Sequence, residues 1–316
     1  MIVTLTANPS LDRTVSLSAP LRAGEVQNAD AVREDAGGKG INVTRVLRGS
    51  GAASTAVLPL DPSDPFGAVL RAADVPFTPV AVHGATRANL TLADADGVTT
   101  KINLPGVTRT SADGDALIDA VVAAAAGARW LVLAGSLPPG LPDTFYVDVI
   151  DAVRGAGFDA GVGPRIAVDT SGPALREVVR RGAPDLIKPN DEELAELAGV
   201  SLDSGLALPE AVAAVAAGLV PARVGAAFVT LGGDGAVLVT ADGAWHGTPP
   251  PTRVRSTVGA GDSSLAGFLL AESAGAGPEE CLRSGIRYGS AAAALPGTQA
   301  PTPDDLLPGD VPVRRL

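Results

Sequence analysis

The chain has one cysteine, Cys281, so it cannot close a disulfide within itself. Its two histidines, His83 and His246, lie far apart in sequence and cannot join that cysteine in a Cys/His metal centre. Any metal must therefore be held by oxygen. Lysine is almost as scarce: only three of the 24 basic residues are lysine, at positions 39, 101 and 188, and all three fall in motif-like stretches. No basic block is present, and 35 acidic residues leave a net charge of −11, which argues against a nucleic-acid partner or an anionic membrane surface. No apolar run approaches the ~20 residues of a spanning helix. Met1 runs directly into Ile2-Val3-Thr4-Leu5-Thr6 with neither a basic leader nor a cleavage site, so the cytoplasm is the expected location.

What is present is the composition of a folded globule, 46% hydrophobic and 19% charged over 316 residues. The pattern predicts a strand at 2–6, a turn over Ala7-Asn8-Pro9-Ser10-Leu11-Asp12, and loosely alternating short strands at 13–18 and 26–34 that form a small sheet away from the core. A strand at 54–60 and a short helix at 65–73 follow. Two alternating runs at 86–93 and 98–104 flank Asp94-Ala95-Asp96-Gly97, a hairpin signal. Beyond residue 113 helices are expected at 113–126, 143–155, 173–181, 191–198 and 208–218, interleaved with strands at 130–134, 166–169, 186–188 and 227–231. Alternation over this length predicts a parallel sheet with helices on both faces. An antiparallel edge strand at 236–240, with Trp245 beside it, and helices to about 274 and over 279–294 complete a single domain spanning 1–316.

The stretch Ser256-Thr257-Val258-Gly259-Ala260-Gly261-Asp262-Ser263 is where chemistry is expected. Glycines 259 and 261 permit a tight turn into a helix beginning near Asp262, and bare amides at a helix N-terminus form an anion pocket. Asp262 is then either a base aimed into that pocket or a cap of the helix. A second glycine loop, Gly37-Gly38-Lys39-Gly40, enters a helix carrying Asn42, Val43, Val46 and Leu47. It is not a Walker A loop, because no Ser or Thr follows the Gly-Lys, and alone it reads equally as a cap with a solvated lysine. Asp12 is either a hydroxyl acceptor at a strand end or a turn residue. Arg87, Asn89, Lys101 and Asn103 are polar residues of the hairpin that either face a ligand or face water.

Taken together, these stretches resemble the ribokinase-like, or PfkB-type, carbohydrate kinases over essentially the whole chain. Asn8-Pro9-Ser10-Leu11-Asp12, Gly135-Ser136-Leu137-Pro138-Pro139-Gly140 and Lys188-Pro189-Asn190 are similar to the branch that phosphorylates sugar phosphates. The resemblance implies a three-layer α/β sandwich with a small β-lid, contributed by segments near 13–34 and 87–104. It implies Asp262 as the base, with the amides of Gly259, Ala260 and Gly261 holding the transferred group. Asp12, Gly38 and Asn42 would bind sugar hydroxyls, while Lys39, Arg87 and Ser136, with Asn89 and Lys101 nearby, would meet the phosphosugar. Lys188, Asn190, Thr230, Gly232 and Gly235 would line the ATP site, and Asn190 and Glu193 would orient Mg²⁺ through water. The implied activity is ATP-dependent phosphorylation of a ketohexose phosphate, fructose 1-phosphate first, then tagatose 6-phosphate or fructose 6-phosphate. A kinase for an unphosphorylated sugar or nucleoside and an idle sugar-phosphate-binding regulator are the alternatives. The resemblance also implies a homodimer through the lid. Three positions depart from the pattern: Arg255-Ser256 before the threonine, Leu60-Asp61-Pro62 in place of a glycine-rich turn, and Lys101. A carboxylate at a helix N-terminus is expected to have a depressed pKa, which would make Asp262 a weak base.

Overall fold

The run Trp130-Leu131-Val132-Leu133-Ala134 offers no polar face to water, which suits a strand covered on both sides. In the computed structural model, which describes residues 1–96, 98–158, 163–203 and 205–316, this run is β8 of a ten-stranded sheet. Its neighbours are β1 (Ile2–Leu5), β4 (Ser54–Leu60) and β5 (Phe77–Ala81) on one side. On the other lie β9 (Arg165–Asp169), β10 (Leu186–Ile187), β11 (Ala227–Thr230), β12 (Ala236–Thr240), β13 (Gly243–Gly247) and β14 (Val313–Arg315). Pairing is parallel from β5 to β11 and antiparallel from β11 to β14. Alternate residues of β8 enter different cores. Leu131 and Leu133 join a cluster with α3 (Ser111–Ala125), α4 (Phe145–Gly155), α5 (Gly172–Glu177), α6 (Asp191–Ala198) and α7 (Leu208–Ala217). Trp130, Val132 and Ala134 pack with α1 (Lys39–Gly49), α8 (Ala260–Ser273) and α9 (Pro278–Ala294). A third cluster joins α2 (Phe66–Ala72) and Ile41 to β4. The result is helix on sheet on helix, as the alternation requires.

The second sheet differs from expectation in its pairing. Instead of two separate two-stranded pieces, it is one four-stranded sheet in the order β3 (Ala31–Gly37), β2 (Ser10–Ser16), β6 (Arg87–Ala93), β7 (Thr99–Asn103). The two hairpin-like segments are joined by a parallel β2–β6 ladder that sets Ser10 opposite Arg87 and Asp12 opposite Asn89. Ser10 to Asp12 is therefore strand and not turn, while residues 26–30 lie outside the strands. The polar residues at the start of β2 read as turn punctuation, but they are polar because they face a cavity. Residue 97 of the hairpin signal lies outside the described residues. The strands β6 and β7 on either side pair antiparallel. The expected helix at 173–181 stops at Glu177 and continues as a π turn over Val178–Gly182. No helix among the described residues is long and apolar enough to cross a membrane.

Candidate active site

Helix α1 begins at Lys39 because Gly38, its N-cap, holds φ at +123°, a conformation open to glycine and costly for other residues. A side chain at Gly37 would collide with the Asp12 carboxylate, so the glycine pair lets lid strand β2 close over the start of α1. These residues form one wall of a cavity of about 490 Å³ at the carboxyl ends of the parallel strands. Asn8, Asp12, Gly38, Lys39, Asn42, Arg87, Asn89, Ser136, Lys188, Glu193 and Asp262 all reach it. Asp12 is fixed there, its Oδ1 accepting from Ser10 Oγ at 2.8 Å and from Asn89 Nδ2 at 3.0 Å. Burial pushes the Asp12 pKa above its ordinary value, offset in part by those two hydrogen bonds.

A second cleft, of about 630 Å³, lies between the loop after β11 and α8–α9. It is lined by Asn190, Thr230, Gly232, Gly235, Ala260 and Gly261, with the Pro249-Pro250-Pro251 run on its rim. Asn190, Thr230 and Gly261 belong to both spaces, so the cleft and the cavity meet at the N-terminus of α8. Gly259 caps that helix without a side-chain hydrogen bond. Among the described residues the Gly261 and Asp262 amides have no acceptor, while that of Ala260 reaches Thr257 O only at 3.4 Å. Open amides at the positive end of a helix dipole suit a phosphoryl group.

Beneath this junction lies a charge cluster that the sequence did not announce. Asp169, at the end of β9, is fully buried and holds Lys39 Nζ on one oxygen at 2.7 Å and Lys188 Nζ on the other at 3.1 Å. Burial opposes its ionisation, yet the two lysines keep its pKa below the usual carboxylate range. Burial would lower the Lys39 pKa, but Asp169 and Asp262 together hold it well above normal. Lys39 is thus a paired ammonium and not the free cation that a phosphate clamp suggests. Asp262 lies beside the cluster, its Oδ2 accepting from Asn42 Nδ2 at 2.8 Å. Its pKa is not depressed but pushed up to about 6. Burial and the negative charge of Asp169 outweigh Lys39, the Asn42 hydrogen bond and Lys188.

A buried carboxyl facing a polar cavity, at a bare helix N-terminus that a second cleft also reaches through Gly261, is a phosphotransfer geometry. The pfkB family carbohydrate kinase model matches residues 6–305. The chain belongs to the PfkB family of carbohydrate kinases. It is 35% identical over 309 residues to 1-phosphofructokinase of Rhodobacter capsulatus, covering 96% of this chain and 94% of that one. It is 33% identical to ATP-dependent 6-phosphofructokinase isozyme 2 of Escherichia coli K12, covering 96% of each. The crystal structure of phosphofructokinase-2 from Escherichia coli superposes with a TM-score of 0.87 at 32% identity, again over 96% of each chain. As a PfkB kinase the chain is a phosphotransferase with an alcohol acceptor and ATP as donor.

Most of the expected site residues of this kinase converge, but Lys188, expected at the nucleotide, lines the first cavity and not the second cleft, and Lys101 reaches neither. Lys101 lies exposed on the outer lid strand opposite Thr91 and forms no part of the cavity wall. Arg87 does line the cavity, but its Nη1 donates to Leu104 O at 2.8 Å and its Nη2 to Asn8 O at 3.3 Å, leaving the buried Nε without a protein partner. Asn190 and Glu193 bond each other in a capping box: Asn190 Oδ1 accepts from Glu193 N at 2.7 Å and Glu193 Oε2 from Asn190 N at 2.9 Å. One Glu193 oxygen remains outside this pair. Among the described residues no group of three or more His, Cys, Asp and Glu could cage a metal.

Proposed function

We propose that this kinase transfers the γ-phosphoryl group of ATP to a ketohexose phosphate, with fructose 1-phosphate the first choice and fructose 6-phosphate the second. The observation that carries the reading is the meeting of the two spaces at Asn190, Thr230 and Gly261, beside the Asp262 carboxyl that faces the cavity. The acceptor would sit in the cavity with its hydroxyls on Asp12, Asn42 and Asn89, and the nucleotide in the cleft along Thr230, Gly232 and Gly235. Ionised Asp262 would take the hydroxyl proton as the new O–P bond forms, while the Gly259 to Gly261 amides hold the phosphoryl oxygens. Mg²⁺, when bound with the nucleotide, would neutralise phosphate charge. The oxygen of Glu193 left free by the capping box suits contact through water better than a full coordination shell. We place the enzyme in the cytoplasm and read it as a homodimer through the lid.

Support for a phosphorylated acceptor is the Arg87 guanidinium in the cavity wall, among side chains that are almost all polar. A hydrogen bond to a charged group contributes roughly 1.5 to 3 kcal/mol, so Arg87 alone would favour a phosphosugar by about 10- to 100-fold. The test is kcat/KM for fructose 1-phosphate, fructose 6-phosphate and tagatose 6-phosphate beside fructose and ribose, repeated with Arg87→Ala. The expected outcome is a phosphosugar preference that Arg87→Ala reduces. An unphosphorylated sugar preferred by the parent protein would overturn the reading.

A further inference from the structure

Tyr146 is fully buried on α4 and takes no part in the chemistry described above. Its hydroxyl donates to the carbonyl of Gly135 at 3.0 Å, with Ala134 O at 3.3 Å. Thr170 Oγ1 donates to the same Gly135 carbonyl at 2.9 Å. The Gly135 amide is fixed as well, donating to Asp169 O at 2.9 Å, and its φ of +95° is one that other residues rarely adopt. The carbonyl of the peptide that follows Gly135 is therefore held by two hydroxyls, and the peptide before it by the Asp169 carbonyl. Burial, with the negative charge of Asp169 nearby, keeps the Tyr146 phenol protonated far beyond its ordinary range, so it remains a donor.

In a planar trans peptide the carbonyl and the following N–H point in opposite directions. With the Gly135 carbonyl drawn onto Tyr146 and Thr170, the Ser136 N–H is turned the other way, and Gly135 and Ser136 both form cavity wall. That N–H has no acceptor among the described residues. Asn8 Nδ2 approaches Ser136 Oγ at 3.4 Å and Asn8 O accepts from Arg87 Nη2, so Asn8 bonds both the Ser136 side chain and the Arg87 guanidinium, and all three residues line the cavity. We propose that Tyr146 and Thr170 are positioning residues that aim the Ser136 N–H at the anionic group of the acceptor. This inference rests on the phosphosugar reading.

The test is steady-state kinetics on Tyr146→Phe, Thr170→Val and Thr170→Ser, using the phosphosugar that the parent enzyme prefers and ATP as the varied substrates in turn. Tyr146→Phe and Thr170→Val should each raise the phosphosugar KM by ~3- to 10-fold, the worth of one neutral hydrogen bond, while the KM for ATP stays within about two-fold. Thr170→Ser, which keeps the hydroxyl, should restore the parental value. The inference is overturned if folded variants leave the phosphosugar KM unchanged, if both KM values rise together, or if Thr170→Ser behaves like Thr170→Val. Should Tyr146→Phe fail to fold, the comparison at position 170 decides alone. A parent enzyme that phosphorylates only free sugars overturns the phosphosugar reading and this inference with it. A parent active on phosphosugars with indifferent variants overturns this inference alone.

Discussion

At the residue scale, a carboxyl that ionises in the folded protein only above about pH 6 is a source of instability at neutral pH. The folded state binds this proton more tightly than the unfolded chain, whose Asp titrates near 3.8, so the penalty is fully present above about 6, fades as pH falls toward 3.8, and is absent below. Its size is on the order of 3 kcal/mol. Asp262→Asn keeps the shape and removes the charge. We therefore expect it to raise the melting temperature at pH 8 by several degrees, with the gain shrinking toward pH 4, while turnover falls ~10²- to 10⁴-fold and ATP affinity is retained. A variant that melts below the parent at pH 8 would remove the penalty assigned to the Asp262 charge, and one that turns over within a few-fold of the parent would show that Asp262 is not the base. The parent's kcat/KM should fall as pH drops through about 6, where Asp262 loses its charge. Asp262 was legible because a glycine loop precedes it. Asp169 was not: a single Asp at a strand end resembles any turn residue, and its partner Lys39 lies 130 positions away. The upward shift of Asp262 was illegible for the same reason, since part of its cause is Asp169.

At the scale of elements, α8 is anchored at the end opposite its chemistry. Glu272, in its last turn, accepts from Trp130 Nε1 at 2.7 Å, Arg165 Nη1 at 2.5 Å and Arg129 Nε at 3.2 Å. A carboxylate near a helix C-terminus is unfavourable to the dipole, so these donors must outweigh that cost. Burial alone would raise its pKa, but the Trp130 hydrogen bond and the two arginines lower it. The stability it contributes is therefore present above its ordinary pKa of 4.5 and lost as pH falls through the lower folded value. Glu272→Gln should cost about 1 to 3 kcal/mol in urea unfolding at pH 7, and less at pH 3, with kcat little changed. An equal loss at both pH values would assign the effect to packing. Elements with strong local pattern, such as β8 and α8, were legible, because a buried parallel strand and a helix with Gly at its start carry their signals within about ten residues. The lid was legible as strands and illegible as a sheet. Its β2–β6 ladder is parallel and joins segments more than 70 positions apart, as the Ser10 and Arg87 pairing shows. Strands β5 and β14 were missed because one carries Pro79 within the strand and the other is three residues long.

At the scale of the whole molecule, the lid has two unlike faces. Strand alternation places Ser10, Asp12, Arg87 and Asn89 on the face that closes the cavity, and Val15, Val32, Leu90, Leu92 and Ile102 on the other. On that second face Val32 is 58% and Ile102 46% exposed, cross-strand neighbours of Val15 and Leu90 respectively or through β2 and β6. A continuous apolar sheet face of this kind is poorly suited to water. It also carries Arg13 and Glu34, bonded to each other at 2.8 Å, one charge of each sign. A two-fold axis would set the apolar stripe against itself and each charge near its opposite, which supports the homodimer proposed above. Fully burying an exposed Val, Leu or Ile side chain contributes roughly 1.5 to 3 kcal/mol, a gain open mainly to Val32 and Ile102 because Val15, Leu90 and Leu92 are already half-buried. Leu92→Glu and Ile102→Glu should each convert the protein to a monomer in sedimentation velocity at micromolar concentration. Because the opposite face of the same strands holds Asp12 and Asn89, the monomer should also bind the acceptor more weakly while its affinity for ATP, which contacts no lid residue in the proposed arrangement, is kept. A parent protein that sediments as a fully active monomer would remove the lid pairing and leave the apolar face to be covered in some other way.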